Sequence, residues 1–201
     1  MAKRRNRDNR KIVPLNDLDL GALVLSAKSG PPIACALICG AYVENALGCL
    51  LENVFSPDQQ FLELKNRLLN GELAGVGMRA NISRLLGLID DFTYKNAMTI
   101  ASIRNKFAHS HVTLDFSSQI IKDNCSNLAN PPLYKSGEEV DAKTNDLYFS
   151  NLRTRLVTVT LTTFVEIQCA TAMSFHNETL AVRHPCCIDE SFSILLPRFI
   201  E

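Results

Sequence analysis

The sequence predicts an all-α protein, a single compact multi-helix domain behind a basic, flexible N-terminal arm. Apolar residues recur at helical spacing along successive stretches of the chain. Those stretches are divided by residues that end or cap helices: Ser29-Gly30-Pro31-Pro32, Ser56-Pro57-Asp58, Asn70-Gly71 and Asp90-Asp91. One run alone alternates as a strand would, and no second run offers it a partner.

The elements follow in order. Residues 1–14 form the arm, with nothing to bury before Leu15. A short helix over Leu18–Lys28 rests on Leu18, Leu20, Ala22, Leu23 and Leu25, and the Gly-Pro-Pro sequence ends it. The second helix, Pro32 to Val54, is apolar on all sides, which implies burial on several faces. Its small residues, Gly40 and Gly48 among them, would let a neighbouring helix approach closely, within the subunit or across a dimer interface. Asp58 caps a third helix, Gln59 to Leu69, and a fourth runs from Met78 to Ile89. Asp90 and Asp91 favour a new helix start, because carboxylates there accept from free amides and face the positive end of the dipole. That helix reaches about Ala108 and turns Tyr94, Ala97, Met98, Ala101 and Phe107 inward. A short helix over Ser117–Leu128 and a surface loop over Asn130–Asn145 precede one long element, Asp146 to about Phe175. Within it Val157, Val159 and Leu161 alternate with threonines, yet its length and flanking leucines favour helix. The domain is therefore placed at residues 15–175, with a C-terminal tail at 176–201.

With 201 residues, 46% of them hydrophobic, the chain can bury a core without disulfides or a structural metal. Its 21 basic and 21 acidic side chains are too few and too balanced for a disordered polyampholyte or a bulk polyanion binder. Neutrality hides an asymmetry, however. Residues 1–11 carry Lys3, Arg4, Arg5, Arg7, Arg10 and Lys11 against Asp8, a local charge of +5 that leaves −5 on the remainder. Those six cations are the candidate contacts to nucleic-acid phosphates, and binding through them would be salt-sensitive and poorly sequence-specific. An odd number of cysteines, seven, mostly inside apolar runs, suits a reducing cytoplasm. No signal peptide is read, because Asn16, Asp17 and Asp19 break the apolar stretch after the basic start. Pro31–Leu51 tempts as a membrane span, but Glu44 and Asn45 interrupt it and a core helix is the expectation.

The segment that carries chemistry is Ile103-Arg104-Asn105-Lys106-Phe107-Ala108-His109. Asn105 and His109, four apart, share a helix ridge, while Arg104 lies about 100° round from Asn105. One regular helix does not place Arg104 beside His109. Two copies meeting antiparallel, or an unwound last turn, would cluster guanidinium, amide and imidazole. Such a cluster suits metal-free phosphodiester chemistry, with His109 moving protons, Arg104 stabilising phosphorane charge and Asn105 orienting them. The plainer expectation is that Arg104 pairs with Glu44 and that His109 serves the C-terminal end of the helix dipole.

Arg104 to His109 resembles the Arg-x(4)-His signature of the HEPN superfamily of all-helical domains. The wider context is similar to the mannitol operon repressor family of bacteria: Gly77-Met78-Arg79-Ala80-Asn81-Ile82, Leu86-Gly87-Leu88-Ile89, Ile103 through Ser110, Leu114-Asp115-Phe116, and Ile120 to Cys125. The likeness spans about residues 15–175. It implies a repressor or co-repressor acting mainly through protein contacts such as another transcriptional regulator, with weak contact to DNA. The reducing cytoplasm read from the cysteines and a homodimer read from the excess apolar surface of the second helix complete that expectation. The alternative it implies is a ribonuclease or toxin acting on RNA through Arg104, Asn105 and His109. No helix-turn-helix is evident, since Arg79, Asn81, Ser83 and Arg84 offer only a short basic edge.

Neither a cofactor nor a metal is expected. His184-Pro185-Cys186-Cys187 has adjacent thiols that poorly suit one tetrahedral zinc, and Gly71–Gly77 lacks the Lys-Ser/Thr ending of a phosphate loop. Cys35, Cys39 and Cys49 read as small core residues, and His176 with Glu178 has no supporting pattern.

Overall fold

The computed structural model describes residues 29–55, 58–132, 134, 135 and 138–175, with isolated positions 12, 21, 24 and 25. The basic arm, most of the helix expected at 18–28, and everything after 175, including His176, Glu178 and the His184–Cys187 segment, lie outside the described residues. Within them the protein is all-α: α1 Pro32–Val54, a short 3-10 turn Gln59–Phe61, α2 Leu62–Asn70, α3 Val76–Leu85, α4 Asp91–His109, α5 Gln119–Ser126, α6 Ala142–Phe149 and α7 Leu152–Phe175. A two-residue antiparallel ladder, Tyr134–Lys135 with Glu138–Glu139, ornaments the loop before α6.

Helix starts follow the side chains that cap them. Asp58 accepts from the Gln60 amide, Asp90 from that of Thr93 at 2.7 Å and Asp141 from that of Thr144. Several boundaries differ from the sequence expectation. The expected helix Gln59 to Leu69 opens as a 3-10 turn, and α6 begins at Ala142, inside the expected loop, because Asp141 caps it. Two further differences are larger. The element expected to run from Asp146 to Phe175 is two helices, because Asn151 Oδ1 accepts from the amides of Arg153 and Thr154 and so starts α7 afresh after α6. The helix expected to reach Ile89 stops at Leu85. Gly87 takes a φ of 70°, and the Leu88 amide reaches back to Ser83 O while that of Gly87 meets Arg84 O, a paired closure of the last turn.

The core lies between α1 and α7, with α4 packed on both and α3 and α5 closing its sides. Leu47, Leu50 and Leu51 of α1 meet Leu156, Phe164 and Ile167 of α7 and Ile100 and Ile103 of α4 in one continuous apolar cluster. Residues 156–161 of α7 are buried in unbroken succession, so the helix is enclosed on every side. That accounts for its misleading alternation. Thr160 and Thr171 satisfy their buried hydroxyls on the carbonyls of Leu156 and Ile167, one turn back, so these two sit in the enclosed helix at little cost. Pro32–Val54 and Leu152–Ser174 are each long and apolar enough to cross a membrane; in the fold they pack on one another, with 56% and 61% of their apolar windows buried inside the protein.

The two glycines of α1 are used within the chain. A Cβ on Gly40 would stand 2.7 Å from Cγ and 2.9 Å from Cβ of Arg104, so α4 crosses α1 at that point. A Cβ on Gly48 would stand 2.7 Å from Nη1 of Arg79. Arg79 is not on a basic edge as its sequence context suggests. It is 3% exposed and turned inward, donating from Nε to Leu73 O at 2.7 Å, from Nη1 to Glu44 O at 2.6 Å and from Nη2 to Leu69 O at 3.1 Å. Ser83 is buried beside it in the same helix, and Asn81 accepts from the Tyr94 hydroxyl. Of the four residues of that edge only Arg84 is exposed.

Replacing Arg79 by Ala removes three buried hydrogen bonds to main-chain carbonyls and is expected to cost about 3–5 kcal/mol, measured by urea unfolding. Gly48→Ala, which drives a methyl into the guanidinium, is expected to cost about 1–3 kcal/mol. The double variant should lose clearly less than the sum of the two, and strict additivity would refute the contact.

Candidate functional site

A groove of about 780 Å³ runs along the C-terminal half of α4. Met98 and Ala101 from α4, Val112 and Leu114 from the following loop and Ile120 from α5 give it an apolar floor and lip. Ser102, Asn105, Lys106 and His109 of α4, with Ser110, supply its polar wall, and Gly77 closes the end nearest α3. The helix remains regular through His109, so Asn105 and His109 stand on one ridge as the spacing requires. Asn105, Lys106 and His109 are all exposed.

Arg104 points elsewhere. Its stem lies across Gly40 of α1, it is not among the residues lining the groove, and its Nη1 donates to Asn105 Oδ1 at 2.9 Å. The structure thus joins Arg104 to Asn105 and Asn105 to the His109 wall, but it does not bring Arg104 and His109 together. The unwound last turn that would have allowed this is absent. Nor is Glu44 the partner of Arg104. The arginine that reaches Glu44 is Arg79, and it takes the main-chain carbonyl.

Two anchoring groups carried no sequence signal of their own. Asn96, fully buried in α4, donates to Ala129 O at 3.2 Å and accepts from the Ala129 amide at 2.9 Å, holding the chain after α5 as a strand partner would. Ser102 donates to Asn124 Oδ1 at 2.8 Å, which fixes α5 as the far wall of the groove. Only their polar character inside an apolar helix register hinted that they were engaged.

Other chemistry-bearing side chains sit away from the groove. Cys35, Cys39, Cys49 and Cys125 are buried thiols outside any disulfide, as small core residues should be. Hydrogen bonding from the Cys39 thiol lowers the Cys35 pKa, with the charge of Arg153 assisting, while acting as that donor and burial together push Cys39 up. Burial pushes Cys125 up to about 11. Among the described residues no three His, Cys, Asp or Glu side chains are gathered as metal ligands. Glu166 of α7 is held above the usual carboxylate range, first by burial and then by the charge of Asp90.

The fold therefore favours protonated Glu166, so its charge opposes folding once pH exceeds the ordinary carboxylate value. Glu166→Gln is expected to raise the melting temperature at pH 7. The gain should shrink as pH falls toward 4, where the wild-type carboxyl is protonated in folded and unfolded chains alike. A gain independent of pH would contradict the assignment.

Compared with models of protein families, with curated proteins and with solved structures, the chain matches none.

Proposed function

We propose that this chain is a transcriptional regulator of the mannitol operon repressor type, built on a HEPN-like helical domain. It is a repressor or co-repressor that works mainly through protein contacts, as a cytoplasmic homodimer. The observation that carries the reading is the separation of Arg104 from His109, together with the apolar lip beside them. Val112 is 70% exposed and Ile120 is 42% exposed at the mouth of the groove. An open apolar edge flanked by polar side chains is the character of a surface that receives another molecule. A hydrolytic centre instead requires its acid–base group and its charge stabiliser within reach of one reacting atom.

Direct DNA contact, in this reading, belongs to the arm cations Lys3, Arg4, Arg5, Arg7, Arg10 and Lys11, because Arg79 is spent inside the fold. Such contact is weak and governed by salt.

A ribonuclease acting on RNA is the second reading, and one observation favours it. The Arg104–Asn105 hydrogen bond couples the guanidinium to the His109 wall, so a second copy could complete the cluster. Incubating the purified chain with RNA in EDTA separates the two. The regulator reading expects intact RNA for both wild type and His109→Ala. Cleavage by the wild type that His109→Ala abolishes, with the melting curve unchanged, would overturn it. Sedimentation velocity is expected to give a dimer. Any DNA retardation at low salt should vanish when residues 1–11 are deleted, and its persistence would refute the role given to the arm.

A further inference from the structure

We infer that the groove beside the last turns of α4 binds a small amphiphilic anion, a carboxylate, sulfonate or phosphate head carried on an apolar chain or ring. The first argument is the polarity of the wall. Asn105 Oδ1 is already accepting from Arg104, so what this exposed side chain chiefly has left for a groove ligand is its amide N–H donors. Lys106 contributes an ammonium with three donors, and His109 adds an imidazole one turn above Asn105 on the same ridge. Ser110 is spent locally, donating to Val112 O and accepting from the Val112 amide. The wall therefore presents donors and positive charge.

The second argument is what has been kept out. Among the described residues none that lines the groove is acidic. The carboxylates of Asp115 and Asp123 keep their charge but stand outside the described lining, each engaged by donors of its own turn. Asp115 accepts from the amides and hydroxyls of Ser117 and Ser118, which hold it below the usual carboxylate range, and Asp123 accepts from Gln119. The third argument is size and floor. A space of about 780 Å³ is the volume of a small-molecule site, and Met98, Ala101, Leu114 and Ile120 give it an apolar bed with an adaptable thioether. An anionic head on the wall with its apolar body along the floor satisfies both surfaces, whereas a neutral apolar molecule gains nothing from the Lys106 ammonium, which then stays with water.

This inference concerns the same groove on which the proposed function rests, and its test reads neither repression nor RNA cleavage, so its failure is distinguishable from the failure of either reading. The probe is 8-anilinonaphthalene-1-sulfonate, followed by fluorescence on the full chain, with uncharged N-phenyl-1-naphthylamine as the matched control. One saturable sulfonate site per chain is expected, displaced by decanoate at a concentration about tenfold lower than by 1-decanol. Lys106→Glu should weaken the sulfonate about tenfold or more and leave the naphthylamine unchanged, because only the head group meets the lysine. Val112→Asp, at an exposed lip position, should weaken both probes. Circular dichroism melting of each variant confirms that these surface changes leave the fold intact. Sulfonate binding that is indifferent to Lys106→Glu and Val112→Asp, or no saturable binding at all, would overturn the proposal.

Discussion

The guanidinium of Arg79 is the point on which the helical arrangement turns. It lies inside the protein, and it spends three donors on main-chain carbonyls from three places: Glu44 in the middle of α1, Leu69 in the last turn of α2, and Leu73 in the link to α3. The carbonyls at the end of α2 have no helical partner and would otherwise need water. The positive charge also sits at the negative end of the α2 dipole, which offsets part of the cost of its burial. Because the side chain belongs to α3, one residue fixes how α1, α2 and α3 meet. Gly48 makes this possible, since any side chain there would occupy the space of Nη1.

A second close approach sets the functional face. Gly40 admits the stem of Arg104, so α4 lies against α1 along one side and offers its opposite side to the loop after His109 and to α5. Asn96 and Ser102 hold the chain beyond α5 and α5 itself to that opposite side, and the space left between them is the groove. The groove is thus a consequence of core packing: its inner wall is a helix whose other face is buried, and that helix is regular to its last turn.

Much of this was legible in the sequence. The bounds of α1 follow from Pro32 and from the length of the apolar run, and the start of α4 follows from Asp90, because these signals are local and act on the backbone directly. The division between α6 and α7 was also local in origin, through Asn151, but a polar residue inside a long apolar element does not by itself declare a break. The alternation in α7 misleads for a different reason. Periodicity reports burial on one side, and a helix enclosed on every side has no polar face to set a period. The inward turn of Arg79 was illegible because it depends on carbonyls 6 and 35 residues away and on the missing side chain of Gly48. The ridge shared by Asn105 and His109 was readable from spacing alone, whereas the groove below it needed the loop and α5 in place.

The placement of Arg104 bears on what the six-residue motif can do in one copy of the chain. A five-residue step advances a regular helix by about 500°, which leaves two side chains about 140° apart around its axis. Within one chain, therefore, Arg104 and His109 converge only if the helix distorts between them, and α4 holds its regular form through His109. Distortion is further opposed by Gly40, because lifting Arg104 from α1 would open a close helix crossing for no compensating contact. Asn105 is the one residue of the three that touches both sides, bonded to the guanidinium and lining the groove. In a single subunit the motif is consequently a divided structure, an anchor on one side and a binding wall on the other. Any chemistry that needs guanidinium and imidazole on the same reacting atom requires a second copy to supply the missing half.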